Sequence, residues 1–557
     1  MVSLDGLNTD ALNEIIQLVH ASSRYTLFSL LRVNKAFHDL TLPFLYRILD
    51  FDFTQADHRR CAQVLHDPYT CSQRRIHSIT EGDPRILKAI RKVVVHSTYA
   101  RWPRDTLQRT SFIPSDEDIE CKWSLFVAFL SRIAHLQELV FDCRERVPLV
   151  LLDVLHGRHP LCRLHVRGWT RAGYDVRVGD PYEKALARSP CLRSIDAFVF
   201  SGPPGADLYL PAFFRIVSLA PNLESMGYST STSECWRSTL HRLTTEQREN
   251  IRTESERFEV KEPVRKGLMK IKWTELDENV LDRFEQAGLD LGTVESLDMG
   301  EVSRISGLIC VRKQGLFAAL KHLSFTIHHS SRSDCTEKEL KSNIVDFLLS
   351  IPPLQSLSVT NYSAFIDLSA LFRWHGGSLR SLSLHEVENS HETREVLTVG
   401  QLKDLRSMAS QLEEIELDIN RTVDDANHLA YYEVLGSFPQ LNRVNVHYDL
   451  GRIYRTCGGQ LNCLRKYPEK IDENFGMSVW KTLYTSKQKH GHGYRGIEEV
   501  AIFVGRRRCE SRFGLLAGGR HSAQTLVLRA NERDDKRNEP IVRVLTPSAS
   551  FVRRYCA

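Results

Sequence analysis

Leu354-Gln355-Ser356-Leu357-Ser358-Val359 is answered 25 residues later by Leu379-Arg380-Ser381-Leu382-Ser383-Leu384, almost the same phrase. Each copy opens on Leu, passes two polar residues and ends on an aliphatic-x-aliphatic pair. The last three positions alternate apolar and polar, the period of a short strand with one buried face. The leading Leu falls in the approach to that strand and is expected to anchor the turn in the core. Outward from this pair, the phrase recurs at Leu320-Lys321-His322-Leu323-Ser324-Phe325, Leu412-Glu413-Glu414-Ile415-Glu416-Leu417 and Leu441-Asn442-Arg443-Val444-Asn445-Val446. Towards the N-terminus it recurs at Leu136-Gln137-Glu138-Leu139-Val140-Phe141 and Leu161-Cys162-Arg163-Leu164-His165-Val166. Looser copies begin at Leu192 and Leu223. Nine copies in order argue against strands that begin this way by chance.

Most copies follow a helix-compatible stretch such as Ile344-Val345-Asp346-Phe347-Leu348-Leu349. Proline often stands between the two, at Pro190, Pro221, Pro352-Pro353 and Pro439, where it stops the helix. Helix, turn and short strand in repetition resemble a leucine-rich-repeat array. The leading leucines of the later copies are 25, 33 and 29 residues apart, an irregular version of the usual period of about 20–29. The Asn or Cys that commonly follows the strand is mostly missing, although Asn361 falls two residues after Val359. The expected fold class is α/β: a short all-α N-terminal motif, then an irregular leucine-rich-repeat solenoid of helix, turn and short parallel strand.

Two stretches break the rhythm. Residues 244–273 are dense in Glu, Arg and Lys without an apolar face and read as an exposed helix or mobile insertion. Asn531 to Pro540 is a second charged run without periodicity. The expected organisation is a helical motif over 1–50, and connecting helices with a first strand over 51–130. Repeats over 131–243 and 274–450 then flank the 244–273 insertion, and terminal repeats with a cap occupy 451–557.

The first fifty residues have a different pattern. Leu12, Ile15, Ile16 and Val19 form one stripe of a short helix that Asn8 or Thr9 can cap. A second apolar run spans Tyr25 to Leu31. A third helix is expected to open at Asn34 and carry Phe37, Leu40 and Thr41 before Pro43. So small a segment cannot bury all these side chains against itself, which makes the surplus a candidate docking face.

Leu7-Asn8-Thr9-Asp10 with Leu12, Ile15 and Ile16, then Leu31-Arg32-Val33-Asn34-Lys35-Ala36-Phe37-His38-Asp39-Leu40, resembles the F-box of fungal adaptor proteins. Asp10 stands for the usual Glu and Asn8 for the usual Pro. Leu42-Pro43-Phe44-Leu45-Tyr46-Arg47 resembles the tail of many such motifs. The resemblance covers about the first tenth of the chain. It implies a substrate adaptor of a cullin-based ubiquitin ligase: a Skp-type linker subunit, and through it a cullin, at the N-terminus, and a target protein on the repeats. It further implies linker contacts through Leu7, Leu12, Ile15, Ile16, Leu30, Leu31, Val33 and Phe37. The middle strand positions Ser358, Ser383, Glu416 and Asn445 are candidates for target contact. The alternative is a repeat scaffold unrelated to ubiquitination, its N-terminal helices serving as a cap.

The chain of 557 residues is too long for one core, and 42% hydrophobic residues support full folding. A net charge of +5 gives no reason to expect nucleic acid. Thirteen scattered cysteines without C-x-x-C fit a reducing, cytoplasmic or nuclear setting. No signal peptide and no membrane-length apolar stretch is read in the sequence. Gly491-His492-Gly493-Tyr494-Arg495-Gly496 matches G-x-G-x-x-G but lacks the strand before it and helix after it that a dinucleotide needs. His385-Glu386 and His391-Glu392 do not have zincin spacing. No nucleophile elbow or phosphate loop occurs, so no enzyme, metal or cofactor is expected.

Overall fold

Asn8 and Asn34 begin two of the three expected N-terminal helices. In the computed structural model of the chain, Asn8 Oδ1 accepts from the Ala11 N–H at 2.8 Å. Asn34 Oδ1 accepts from the Phe37 N–H at 2.9 Å. Each satisfies a first-turn donor that has no intrahelical partner. The helices are α1 (Thr9–Ser22), α2 (Arg24–Leu30) and α3 (Lys35–Tyr46). Helix α3 continues through Pro43 instead of stopping there. Pro43 is exposed, so the carbonyl that loses its N–H partner can be hydrated.

The structure describes residues 8–22, 24–53, 68–97, 116–143, 146–170, 180–200, 210–231, 266–273, 278–302, 308–309, 312, 315–329, 335–386, 394–420, 425–449, 452–457, 460–465, 473–491, 496–504, 524–534 and 539–545. The chain forms two compact units, Met1–Leu268 with Arg283–Asp290, and Met269–Asp282 with Leu291–Ala557.

In the first unit, one residue after α3, the chain enters β1 (Ile48–Asp52) and continues through α4 (Pro68–Glu81), α5 (Pro84–Ala89), β2 (Lys92–Ser97), α6 (Asp116–Arg132), β3 (Glu138–Cys143), α7 (Leu149–Arg158), β4 (Arg163–Trp169), α8 (Pro181–Ala187), β5 (Leu192–Phe200), α9 (Leu210–Leu219) and β6 (Ser225–Ser231). Strands β1 to β6 pair in chain order, each parallel to the next. Parallel neighbours need crossover connections, which the helices supply. Phe51, Phe53, Trp123, Phe126, Phe129 and Phe141 close the space between strands and helices, with Phe51 and Phe129 edge to face at 5.5 Å.

Two short strands, β7 (Lys266–Gly267) and β9 (Leu289–Asp290), pair in the first unit; β8 (Lys270–Trp273) lies between them in sequence and α10 spans Glu278–Gln286. The second unit then contains β10 (Ser296–Val302), β11 (His322–Ile327), α11 (Glu337–Ser350), β12 (Ser356–Thr360), α12 (Leu368–His375), β13 (Ser381–His385), α13 (Val399–Met408), β14 (Glu414–Ile419), α14 (Asp425–Gly436), β15 (Arg443–Tyr448), the hairpin β16 (Arg452–Cys457) and β17 (Gln460–Arg465), α15 (Glu473–Lys489), β18 (Glu499–Val504), β19 (Gln524–Asp534) and β20 (Glu539–Leu545). Strand β8, β10 to β15 and β18 pair in parallel, and β19 and β20 extend them antiparallel.

The repetition is literal at the backbone. In several approaches one carbonyl accepts two successive N–H groups from the next repeat. Gln355 and Ser356 donate to Lys321 O, Arg380 and Ser381 to Gln355 O, and Glu413 and Glu414 to Arg380 O, at 2.7–3.0 Å. Arg91 and Lys92 do the same to Arg47 O. Leu136, Leu192, Leu223, Leu320, Leu354, Leu379, Leu412 and Leu441 are buried as expected. Leu161 is the exception at 89% exposure, and the neighbouring Cys162 fills the core instead.

Three boundaries move. Parallel strands begin at Ile48, so the helical motif ends at Tyr46 and 51–130 already contains array strands. Residues 266–273, expected within a charged insertion, form β7 and β8 with Ile271 and Trp273 fully buried; residues 244–265 lie outside the described set. The charged run at Asn531 is the end of β19, and Glu539-Pro540 opens β20, paired antiparallel. Backbone pairing overrides the absence of an apolar pattern there.

His375, fully buried at the end of α12, ties that helix to the end of α11 and the approach to β12. Its Nδ1 accepts from the Leu354 N–H at 3.1 Å and its Nε2–H donates to Leu348 O at 3.0 Å. The bond accepted at Nδ1 requires the neutral ring, and burial holds the pKa down at about 4 against an ordinary 6.5. The unfolded chain therefore takes up a proton first, and stability is lost as pH falls from about 6.5 to about 4, by about 3 kcal/mol. Urea unfolding of the wild type and His375→Gln across that window should show a shallower pH dependence in the variant.

Candidate functional site

The N-terminal helices sort the expected linker contacts into two groups. Leu12, Ile16 and Phe37 join Leu27 and Leu45 in the motif's own small core. Ile15, Leu30 and Leu31 are half-buried, and Val33 is 59% exposed. Leu7 lies outside the described residues. Two exposed apolar side chains not singled out from sequence complete the surface, Leu18 and Phe28. Each lies one turn after or before a half-buried partner, Leu18 after Ile15 and Phe28 before Leu31, so each pair shares a helix flank. The signal was present in the sequence: on a helix, Leu18 points about 100° away from the Leu12–Ile16–Val19 stripe, and an apolar residue off the stripe is a candidate for external contact.

The motif is part of the first unit and is fixed to the strand and helix that follow it. Arg47 alone separates α3 from β1, and Arg85 in the first turn of α5 reaches Asp39 of α3 at 2.7 Å.

The four candidate target contacts lie in one row. Ser358 is opposite Ser383, Ser383 opposite Glu416, and Glu416 opposite Asn445 in the parallel register. All four are half-buried on the side away from the helix-packed residues Leu357, Leu382, Ile415 and Val444. Ser358 and Ser383 carry no side-chain hydrogen bond among the described residues. Glu416 instead accepts from His447 Nε2 at 2.6 Å, so it is engaged within the sheet.

One step further along these strands is a buried polar network that the sequence did not reveal. Asp418, 3% exposed, accepts from His385 Nδ1 at 2.8 Å and pairs with Arg394 at 3.0 Å. The Glu386 N–H also donates to it. Burial raises the Asp418 carboxyl, but the His385 hydrogen bond and the Arg394 charge outweigh this and hold it below its ordinary value. Arg394 also donates to Ile419 O, to His447 O at 2.6 Å and to Asn420 Oδ1 at 3.0 Å. Glu386, raised by burial, accepts from the Ser363 N–H. His447 stacks on Phe503 with ring centres 4.6 Å apart, and burial lowers its pKa. The network joins the β13–α13 connection to the ends of β14 and β15.

In the first unit, His96 bonds Asp142 at 2.8 Å and Asp50 at 3.3 Å. The two carboxylates, Asp142 foremost, raise it to about 9. That stability is present below an ordinary imidazole pKa and fades as pH rises through about 9; exposure of Asp50 keeps it modest.

Among the described residues no group of three His, Cys, Asp or Glu side chains is arranged to hold a metal ion. No described helix is long and apolar enough to cross a membrane. Gly491 lies in the turn just after α15 and strand β18 follows at Glu499, the reverse of a dinucleotide site; His391 and residues 492–495 lie outside the described set. No protein-family model matches the chain, and no curated protein sequence matches it.

Proposed function

We propose that the chain is a non-catalytic substrate-recognition adaptor of a Skp–cullin–F-box ubiquitin ligase. The observation that carries the reading is a small helical cluster that keeps its own core closed and still leaves Leu18, Phe28 and Val33 in solvent. A few large apolar anchors of this kind dominate helix-in-groove affinity. Of the residues quoted for the F-box resemblance, Leu12, Ile16, Phe37 and Leu45 lie in this cluster, and Leu31, Leu40, Phe44 and Tyr46 pack against it.

We read the units behind it as degenerate leucine-rich repeats. The doubled N–H bonds to one carbonyl support this, as does Asn361, which adopts a left-handed φ of 59°. Its Nδ2 donates to Ile327 O at 2.9 Å and its N–H to His385 O at 2.7 Å, linking three strands. Asn accepts this conformation at lower cost than most residues. In this reading the row from Ser358 to Asn445 faces the target. The adaptor acts by position, raising the effective concentration of the target near recruited ligase machinery in the cytoplasm or nucleus. It requires no nucleophile, metal or cofactor of its own.

The direct α3–β1 junction and the Asp39–Arg85 pair favour a second reading, in which the helices cap a scaffold. Co-purification with a Skp-type linker subunit separates the two. An adaptor forms a one-to-one complex; a capped scaffold forms none.

A further inference from the structure

Helix α12 has eight residues, against fourteen in α11 and ten in α13. The short helix leaves a notch between its neighbours with a volume of about 390 Å³. Apolar side chains form part of its lining: Ile366, Phe372 and Leu397 are buried, and Leu368, Val396 and Met408 are half-buried. Its charged groups are Asp367, Glu395 and Asp404, opposed by Lys341 from α11. Asp367 caps α12 through the N–H groups of Ser369 and Ala370. The side chains of Glu395, Asp404 and Lys341 have no hydrogen bond or ion pair among the described residues.

The walls are held from behind. Ser363 on one side is fixed through its N–H to Glu386, which donates in turn to Asp418. Glu395 on the other side directly follows Arg394, which grips the same Asp418. Both connections lining the notch are therefore pinned by one buried network, and a bound group need not order them.

Apolar side chains beside an excess of carboxylates suit an alkyl stem that ends in a cation, the chemistry of arginine and lysine side chains. We propose that this notch binds one alkylguanidinium or alkylammonium group, with Asp404 and Glu395 receiving the cation and Lys341 opposing it. The site lies wholly in the second unit and does not depend on the N-terminal helices docking to anything.

Saturation-transfer NMR on the full chain tests this with N-acetyl-arginine methylamide as probe. Its neutral isostere, N-acetyl-citrulline methylamide, is the control, and agmatine is the free-cation arm. The arginine probe should bind saturably with Kd on the order of 1 mM, the range for a ligand of this size, and at least fivefold more strongly than the citrulline probe. Asp404→Lys should weaken it at least fivefold and Lys341→Glu should tighten it about threefold. Both positions are exposed, and unchanged thermal unfolding confirms that the variants fold. Agmatine binding equal to the amide assigns the notch to free cations, and binding of the amide alone assigns it to a protein side chain; the cation chemistry holds in both. Equal binding of arginine and citrulline probes, no binding of either, or arginine binding untouched by Asp404→Lys overturns the proposal.

Discussion

Phe28→Asp combined with Val33→Asp should abolish capture of a Skp-type linker subunit, a loss of at least 100-fold in affinity, and leave thermal unfolding within a degree or two of wild type. Phe28 and Val33 are 50% and 59% exposed, so a carboxylate at either meets water in the free chain and no core is disturbed. In a complex the same carboxylates would be driven into an apolar groove without a partner. Hot-spot truncations cost about 2–4 kcal/mol, and a desolvated charge adds to that. The contrast is Leu12→Asp, which puts a charge into the cluster of Leu12, Ile16, Leu27, Phe37 and Leu45. That variant should lose linker binding by unfolding the motif, seen as lost helical signal and protease sensitivity. Circular dichroism beside pull-down distinguishes the two. Retained binding in the Phe28/Val33 variant would remove those residues from the interface.

Arg394→Ala should destabilise the second unit by about 3–5 kcal/mol, among the largest single-residue effects in the chain. The Asp418 side chain is 1% exposed, and removing the guanidinium leaves its charge with His385 as its main side-chain partner. The carbonyls of Ile419 and His447 lose a donor as well, and a buried unmet acceptor costs about 1–3 kcal/mol. Arg394→Lys should recover only part of this, since an ammonium cannot reproduce the guanidinium fork. Adding Asp418→Asn to Arg394→Ala removes the stranded charge, so the double variant should be more stable than the sum of the two singles. Denaturant midpoints of the four proteins measure this cycle. Additive effects would show that the pair is not coupled.

The repeat phrase made most later strands legible because each pairs a buried leading Leu with an alternating strand, two signals at fixed spacing. Strands β1, β8 and β10 lack that leader and were missed, and the first strand expected within 51–130 was not placed, although β2 lies there at Lys92–Ser97. They alternate all the same, as Leu49, Phe51 and Phe53 with exposed Asp50 between them show. Leu161 carries the right letter at the right spacing and points outward, since Cys162 occupies the core in its place. In the helical motif, one stripe rule could not separate residues that close the motif from residues that remain free. Leu12, Ile16 and Phe37 belong to the first kind and Val33 to the second. The Arg394 network was invisible because its members, from Ser363 to His447, are brought together only by parallel register across neighbouring units.

The adaptor reading is tested most directly by co-expressing the full chain with a Skp-type linker subunit and measuring complex mass by size-exclusion chromatography with light scattering. A one-to-one complex, lost in the Phe28→Asp/Val33→Asp variant while the chain stays folded, is the expected result. A folded chain that elutes alone beside free linker would contradict the adaptor reading and leave the helices as a cap on the array.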